Sequence, residues 1–258
     1  MPASAASALA RAKERGHRLF ICTGRSTPEV YPRFFDLGFE GIVGGAGGYA
    51  AVGSTVLLDE RMPAEHVEAL TRMWEELRAF YVWQGPDQMG PSRGYLDFFV
   101  PRAGENPQDW VEYGESVTPF VVDIEGGSFT KVTAYVRPEN ASMERISAAL
   151  PDGYRAIIGS VGAAGYVPFE VLPTRLSKAV GIEAVCEHLG IPLSRSVAIG
   201  DSNNDVEAVA RAGVGISIGD GCEALVEVAD IVAPAVGDDG FAWALAAAGL
   251  IDEAPNPA

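Results

Sequence analysis

The chain has 258 residues, of which 48% are hydrophobic, enough to bury a large core in one domain or in two. It carries 19 basic against 35 acidic residues, a net charge of −16, and that balance argues against a nucleic-acid partner, which needs clustered Lys and Arg. Three cysteines, Cys22, Cys186 and Cys222, form no CxxC pair and no disulfide framework, no apolar run is long enough to span a membrane, and the N-terminus has no signal-like apolar stretch. A reducing cytoplasm is the expected location.

In chain order, PASAASALARAKERG predicts a helix and RLFIC a short buried strand running into the turn Thr23-Gly24. Thr27 and Pro28 predict the start of a second helix ending near Gly38. GIV at 41–43 predicts a strand, and YAAV with TVLLDE around Gly53-Ser54 a hairpin. From about 59 to 172 the texture changes. PAEHVEALTRMWEELRAF sets Val67, Leu70, Trp74 and Leu77 on one helical face. Strands are then expected at YVW, YLDFFV, TKVTAYV, YRAII and YVPFEVL, with a helix at NASMERISAAL, an α+β pattern. After that, strict alternation returns. SKAVGIEAVCEHLG predicts a helix with Val180, Ala184 and Leu189 inward, SVAIG a strand, NDVEAVARAG a helix, VGISIG a strand, CEALVEVA a helix, DIVAP a strand and GFAWALAAAG a last helix; EAPNPA reads as a frayed end. The domains are therefore expected at 1–58 with 173–258, interrupted by a second domain at 59–172.

The most chemical stretch is VAIGDSNNDVEAVARAG, residues 197–213. Asp201 stands at the C-terminal tip of a buried strand, where open α/β sheets bind ligands, and Asp205 follows four residues later. Two hard oxygen donors directed to one point suit Mg²⁺, and two acids with two amides in five residues exceed what helix capping needs. An EF-hand is excluded because Val206 replaces the turn glycine and Ala212 the last acidic ligand. Thr23 and Gly24 end another strand at the same edge, where a hydroxyl and exposed N–H groups can hold phosphate oxygens, with Arg25 able to add charge. Lys178 falls in the first turn of its helix, where a cation opposes the helix dipole. GGAGGYA precedes a hairpin instead of a helix and so is no dinucleotide fingerprint, and no GxSxG elbow occurs. His17, His66 and His188 are scattered and read as surface or packing residues.

The order strand–TGR, insertion, Lys at a helix start, strand–GDSNND resembles the haloacid dehalogenase-like phosphohydrolases, in particular the Cof-type sugar phosphatases with a large α/β cap. The resemblance covers nearly the whole chain, through ERGHRLFICTGRS, TRLSKAVGIEAVCEHLGI, AIGDSNNDVEAV and the closing ADIVAP and DDGFAWAL. It implies a Rossmann-like core with a parallel sheet plus an inserted α+β cap. It also implies a Mg²⁺-dependent phosphatase acting on small phosphorylated metabolites such as sugar phosphates, as a monomer or homodimer, without nucleic acid or membrane. Thr23 and the Gly24 amide would hold phosphate, Lys178 would neutralise the phosphoryl group, Asp201 would ligate Mg²⁺, Asp205 would support the metal site and Asn204 would contact phosphate.

The same resemblance implies a strand with two aspartates, nucleophile and general acid/base, ahead of the first helix. The 258 residues open at that helix. The resemblance leaves three arrangements open: the nucleophile lies on a segment outside these residues, is missing, or is supplied from elsewhere in the chain. FVVDIEGGSF, residues 120–129, looks like that motif with Glu125 as its second acid, but reads as an element of the cap. Without the nucleophile, the alternative is an inactive homologue that binds phosphate or a metabolite. In two further places the sequence departs from the family. Ala46 stands where an Asn is common, and Asp220 or Gly221 stands where another Asn is common.

Overall fold

A computed structural model describes residues 1–104, 110–219 and 221–252. Asp220 and the 253–258 end lie outside the described residues, so the expectations made for them have no structural counterpart. By its contacts the chain divides into two compact units, one formed by 1–24, 32–58 and 177–258, the other by 25–31 and 59–176.

The first unit holds two short sheets. In one, β1 (Phe20–Cys22) pairs parallel with β2 (Gly41–Gly44), which pairs antiparallel with β3 (Tyr49–Val52), and β4 (Thr55–Asp59) follows at the edge. In the other, β10 (Val197–Gly200), β11 (Val214–Ile218) and β12 (Ile231–Ala233) pair in parallel. Helices join the two sheets on their faces. α1 (Ala3–Glu14) and the helix Gly240–Ala247 meet through Ala8, Ala12, Ala242 and Leu245, with Leu19 before β1 and Ile199 of β10 packed on the same cluster. The alanines spaced four apart on α1 keep side chains short where the two helices cross. α6 (Lys178–Leu189) serves both sheets: Val185 and Leu189 pack with Val43 and Ala50, while Ile182 packs with Ala198 and Val209. β1 and β10, apolar enough in sequence to be central strands, are each the edge of their sheet, and Cys22 is exposed.

The inward face of α6 is rotated from the expected one. Ala179, Gly181 and Val185 are buried, whereas Val180 and Ala184 are only partly so. Two contacts cause the rotation. Lys178 is drawn inside by a carboxylate, and Gly181 lies so close to β2 that a Cβ there would meet Val43 at 2.3 Å.

The second unit is a five-stranded sheet in the order β6-β5-β7-β9-β8, with β5 (Phe80–Gln84), β6 (Met89–Pro91), β7 (Lys131–Val136), β8 (Tyr154–Ile158) and β9 (Val167–Pro173). α2 (Ala64–Glu76) and α5 (Met143–Ala149) cover one face around Trp74, Trp83, Phe129 and Val132, and the predicted stripe Val67, Leu70, Trp74 and Leu77 is buried there. Part of the other face carries an aromatic cluster of Tyr95, Phe98, Phe99, Tyr113 and Tyr135.

Two expectations fail here. YLDFFV is not a strand: Tyr95–Phe99 is the helix α3, because Tyr95, Phe98 and Phe99 share one buried helical face at spacings of three and four. The helix expected from Thr27 to Gly38 is instead two 3-10 segments, Thr27–Glu29 and Pro32–Leu37, parted where Pro32 lacks an N–H and Val30 is extended. Residues 25–31 were expected with the first unit but cluster with the second. Glu29 holds them there: its Oε2 accepts from Ser26 N at 2.7 Å and Gln84 Nε2 at 2.7 Å, and its Oε1 from Tyr113 Oη at 3.2 Å. α4 (Val111–Val117), which supplies Tyr113, was not anticipated, since Gly114 interrupts its propensity.

Candidate active site

The site assembles at the C-terminal ends of β1, β2 and β10, in the first unit. Thr23 follows β1; its N–H donates to Val43 O at 2.8 Å and its carbonyl accepts from Ala46 N at 3.3 Å. The glycine loop after β2 is thereby tied to the Thr23-Gly24 turn. Its other side lies against α6, where a Cβ on Gly47 would come within 1.9 Å of Ser177 O. Gly47 also has φ +95°, so both its conformation and its surroundings require glycine. Ala46 takes φ 57°, a left-handed conformation unfavourable for a residue with a Cβ.

Lys178 opens α6 and is buried. Its Nζ donates to Asp205 Oδ1 at 2.6 Å and to Asn204 Oδ1 at 2.8 Å. A cation at a helix N-terminus is tolerated because a carboxylate meets it inside the protein. Two of its three N–H groups are accounted for by these bonds, which among the described residues leaves one for a ligand oxygen.

Asp205 is buried and fully engaged. While Oδ1 takes Lys178, Oδ2 accepts from Asp201 N at 3.3 Å, Ser202 N at 3.2 Å and Ser202 Oγ at 3.1 Å. Gly200 permits this packing, since a Cβ there would lie 2.3 Å from Asp205 Cβ. The sequence pattern suggested two carboxylates directed at one metal ion. The geometry separates them: Asp205 faces inward and folds the loop around Lys178, whereas Asp201 is exposed, with no hydrogen-bond donor to its carboxylate among the described residues. No group of three or more His, Cys, Asp and Glu able to hold a metal occurs among the described residues. One open carboxylate still fits Mg²⁺, which keeps several waters and takes substrate oxygens beside one or two carboxylates. Asp201 is the residue able to offer that ligand.

Asn204 meets the Thr23-Gly24 turn. Its Nδ2 lies 3.2 Å from the position a Gly24 Cβ would occupy. Thr23, Gly24, Lys178, Asn204 and Asp205 therefore converge, with Asp201 beside them. Cys22, at the tip of β1, is a neighbour that sequence reasoning missed. Cys22 as a residue is exposed on the open edge, but its thiol is crowded by protein, and loss of hydration pushes it up to about 11, with Lys178 acting to lower it and Asp205 to raise it. Ser202 was also missed, because a lone Ser in a capping position carries no distinctive spacing. Arg25 belongs to the second unit, where it donates to Glu29 O at 3.1 Å and lies over the rings of Tyr31 and Trp110. FVVDIEGGSF is likewise in the second unit, with Asp123 and Glu125 exposed and Phe129 in its core.

A family model described as haloacid dehalogenase-like hydrolase matches residues 1–245, and the chain belongs to that family. Its fold is the family's α/β fold, a Rossmann-like core in the first unit and an inserted α+β cap in the second. Among its relatives, the Bacillus subtilis protein named "Putative phosphatase YkrA" is 25% identical over 251 residues, which is 97% of this chain and 92% of that one. A hypothetical protein of Geobacillus kaustophilus is 26% identical, with a TM-score of 0.75 over 97% of this chain and 93% of that one. A HAD subclass IIB sugar phosphatase shares the fold at 21% identity, with a TM-score of 0.76 over 97% of this chain and 93% of that one.

Proposed function

We propose that this haloacid dehalogenase-like phosphatase hydrolyses phosphomonoesters of small metabolites, sugar phosphates among them, with Mg²⁺ as cofactor. The observation that carries the reading is the buried Lys178, held by Asp205 and Asn204 and sharing Asn204 with the Thr23-Gly24 turn. Such an arrangement suits a phosphoryl group. The remaining Lys178 N–H neutralises one equatorial oxygen, while the Thr23 hydroxyl, the Gly24 amide and the Asn204 amide donate to others. Because Asp205 already balances the lysine, the charge of an incoming dianion calls for a further cation, and Asp201 is the group that would hold it. Mg²⁺ bound there supplies electrostatic stabilisation of the transferring phosphoryl group. The attacking aspartate of the family has no counterpart among the residues just described. Three free cysteines fit a reducing cytoplasm. A panel of sugar phosphates assayed for released inorganic phosphate, with and without Mg²⁺, tests the reading. Turnover that needs Mg²⁺ and vanishes in Asp201→Ala supports it, whereas ligand-induced stabilisation without turnover of any phosphomonoester overturns it in favour of a binding protein.

A further inference from the structure

Asn204 is an amide whose two ends look alike in shape but differ in chemistry, so its direction decides whether a phosphate meets donors or an acceptor. Lys178 settles that direction. An ammonium only donates, so the Asn204 atom 2.8 Å from Nζ is the carbonyl oxygen. The NH₂ group is thereby turned to the Gly24 side of the residue. A second group supports the same oxygen. Ser202 Oγ lies 3.0 Å from Asn204 Oδ1 and 3.1 Å from Asp205 Oδ2. It has one proton for two acceptors. Asp205 Oδ2 already receives two backbone N–H groups, from Asp201 and Ser202, whereas among the described residues Asn204 Oδ1 otherwise depends on Lys178 alone.

We infer that Ser202 is a positioning residue, which keeps the Asn204 amide turned toward the phosphate when Lys178 is drawn to a phosphoryl oxygen. The inference rests on the phosphatase reading above and adds a residue to that site. Its physical basis is a competition for one lysine. A phosphoryl oxygen attracts Nζ more strongly than a neutral amide does, so ligand binding weakens the bond that orients Asn204. An Asn204 released from that bond is free to flip and present its carbonyl to an anion. The Ser202 hydroxyl, already within reach of both acceptors, gives its proton to Asn204 in that state, while Asp205 retains its backbone donors. Ser202 therefore matters more to phosphate binding than to folding.

The experiment is calorimetric titration of inorganic phosphate, in the presence of Mg²⁺, into wild type, Ser202→Ala, Ser202→Thr, Asn204→Ala and the Ser202→Ala/Asn204→Ala double variant, each also melted without ligand. Ser202→Ala is expected to weaken phosphate binding about tenfold, the scale of one hydrogen bond to a charged group. Ser202→Thr, which keeps the hydroxyl, is expected to stay within about twofold of wild type. If Ser202 acts through Asn204, the double variant binds no more weakly than Asn204→Ala alone. A Ser202→Ala protein that melts earlier but binds phosphate as well as wild type assigns Ser202 to helix capping only and overturns the inference, as does full additivity in the double variant. A wild type that binds no phosphate, with or without Mg²⁺, removes the phosphatase reading itself and the inference with it.

Discussion

Removing the Asp205 carboxylate isolates the cost of leaving a cation stranded inside the first unit. The side chains of Lys178 and Asp205 are 6% and 10% exposed and meet at 2.6 Å, so in Asp205→Ala the ammonium loses its counter-ion without gaining water. Breaking one side of a buried pair costs about 3–5 kcal/mol. At roughly 2–4 °C per kcal/mol for a body of this size, the melting temperature is expected to fall by about 10 °C. Replacing both partners, in the double variant Lys178→Met/Asp205→Leu, removes the stranded charge and is expected to recover most of the loss, since apolar replacement of both partners is often neutral. Differential scanning calorimetry is the suitable assay, because two units are able to melt in separate transitions. An Asp205→Ala protein melting within about 2 °C of wild type, or a double variant no more stable than Asp205→Ala, refutes the argument that the pair is buried and mutually dependent.

Three further outcomes follow from the same geometry. Asp201→Ala, which removes an exposed carboxylate, is expected to leave stability within about 0.5 kcal/mol of wild type while abolishing any Mg²⁺ dependence of phosphate binding, measured by melting with and without the ion. Gly181→Ala gains helix propensity but drives a methyl to within 2.3 Å of Val43, so a net loss of about 1–3 kcal/mol is expected in urea titration, with Val43→Ala restoring it. Cys22 is exposed yet its thiol is pushed up to about 11, so alkylation by iodoacetamide should be slow at pH 8 and rise about tenfold per pH unit toward that value. Because the folded thiol keeps its proton to higher pH than the unfolded one, its contribution to stability falls as pH rises between the two values. Fast labelling at pH 8, followed by mass spectrometry of the Cys22 peptide, counts against the crowded environment assigned to it.

Short-range chemistry made part of this protein legible in its sequence. The apolar stripe of α2, the alternation of strand and helix after residue 173, the Asp201-to-Asp205 loop at a strand tip and Lys178 at a helix start are all set by neighbours a few residues apart, and residue order carries such information. The Pro32 break and the YLDFFV helix are errors of a different kind. The first was written in the sequence but outweighed by a good helix start at Thr27-Pro28, and the second was an apolar run too short for its period to separate strand from helix.

What sequence order does not carry is which distant partner each polar group takes. Asp201 and Asp205 are equivalent as letters four apart. They differ in the fold because Lys178, some 27 positions from Asp205 in the chain, lies within hydrogen-bond reach of one and not the other. The direction of Asn204, the placement of Arg25 over Trp110 and the attachment of residues 25–31 through Glu29 to Gln84 and Tyr113 have the same origin. So does the rotation of α6, decided by one close contact with Val43 and one buried ion pair. Local patterns named the residues able to do chemistry, whereas pairing inside a crowded, poorly hydrated interior assigned each its task, because there an unpaired charge or amide costs more than any local preference returns.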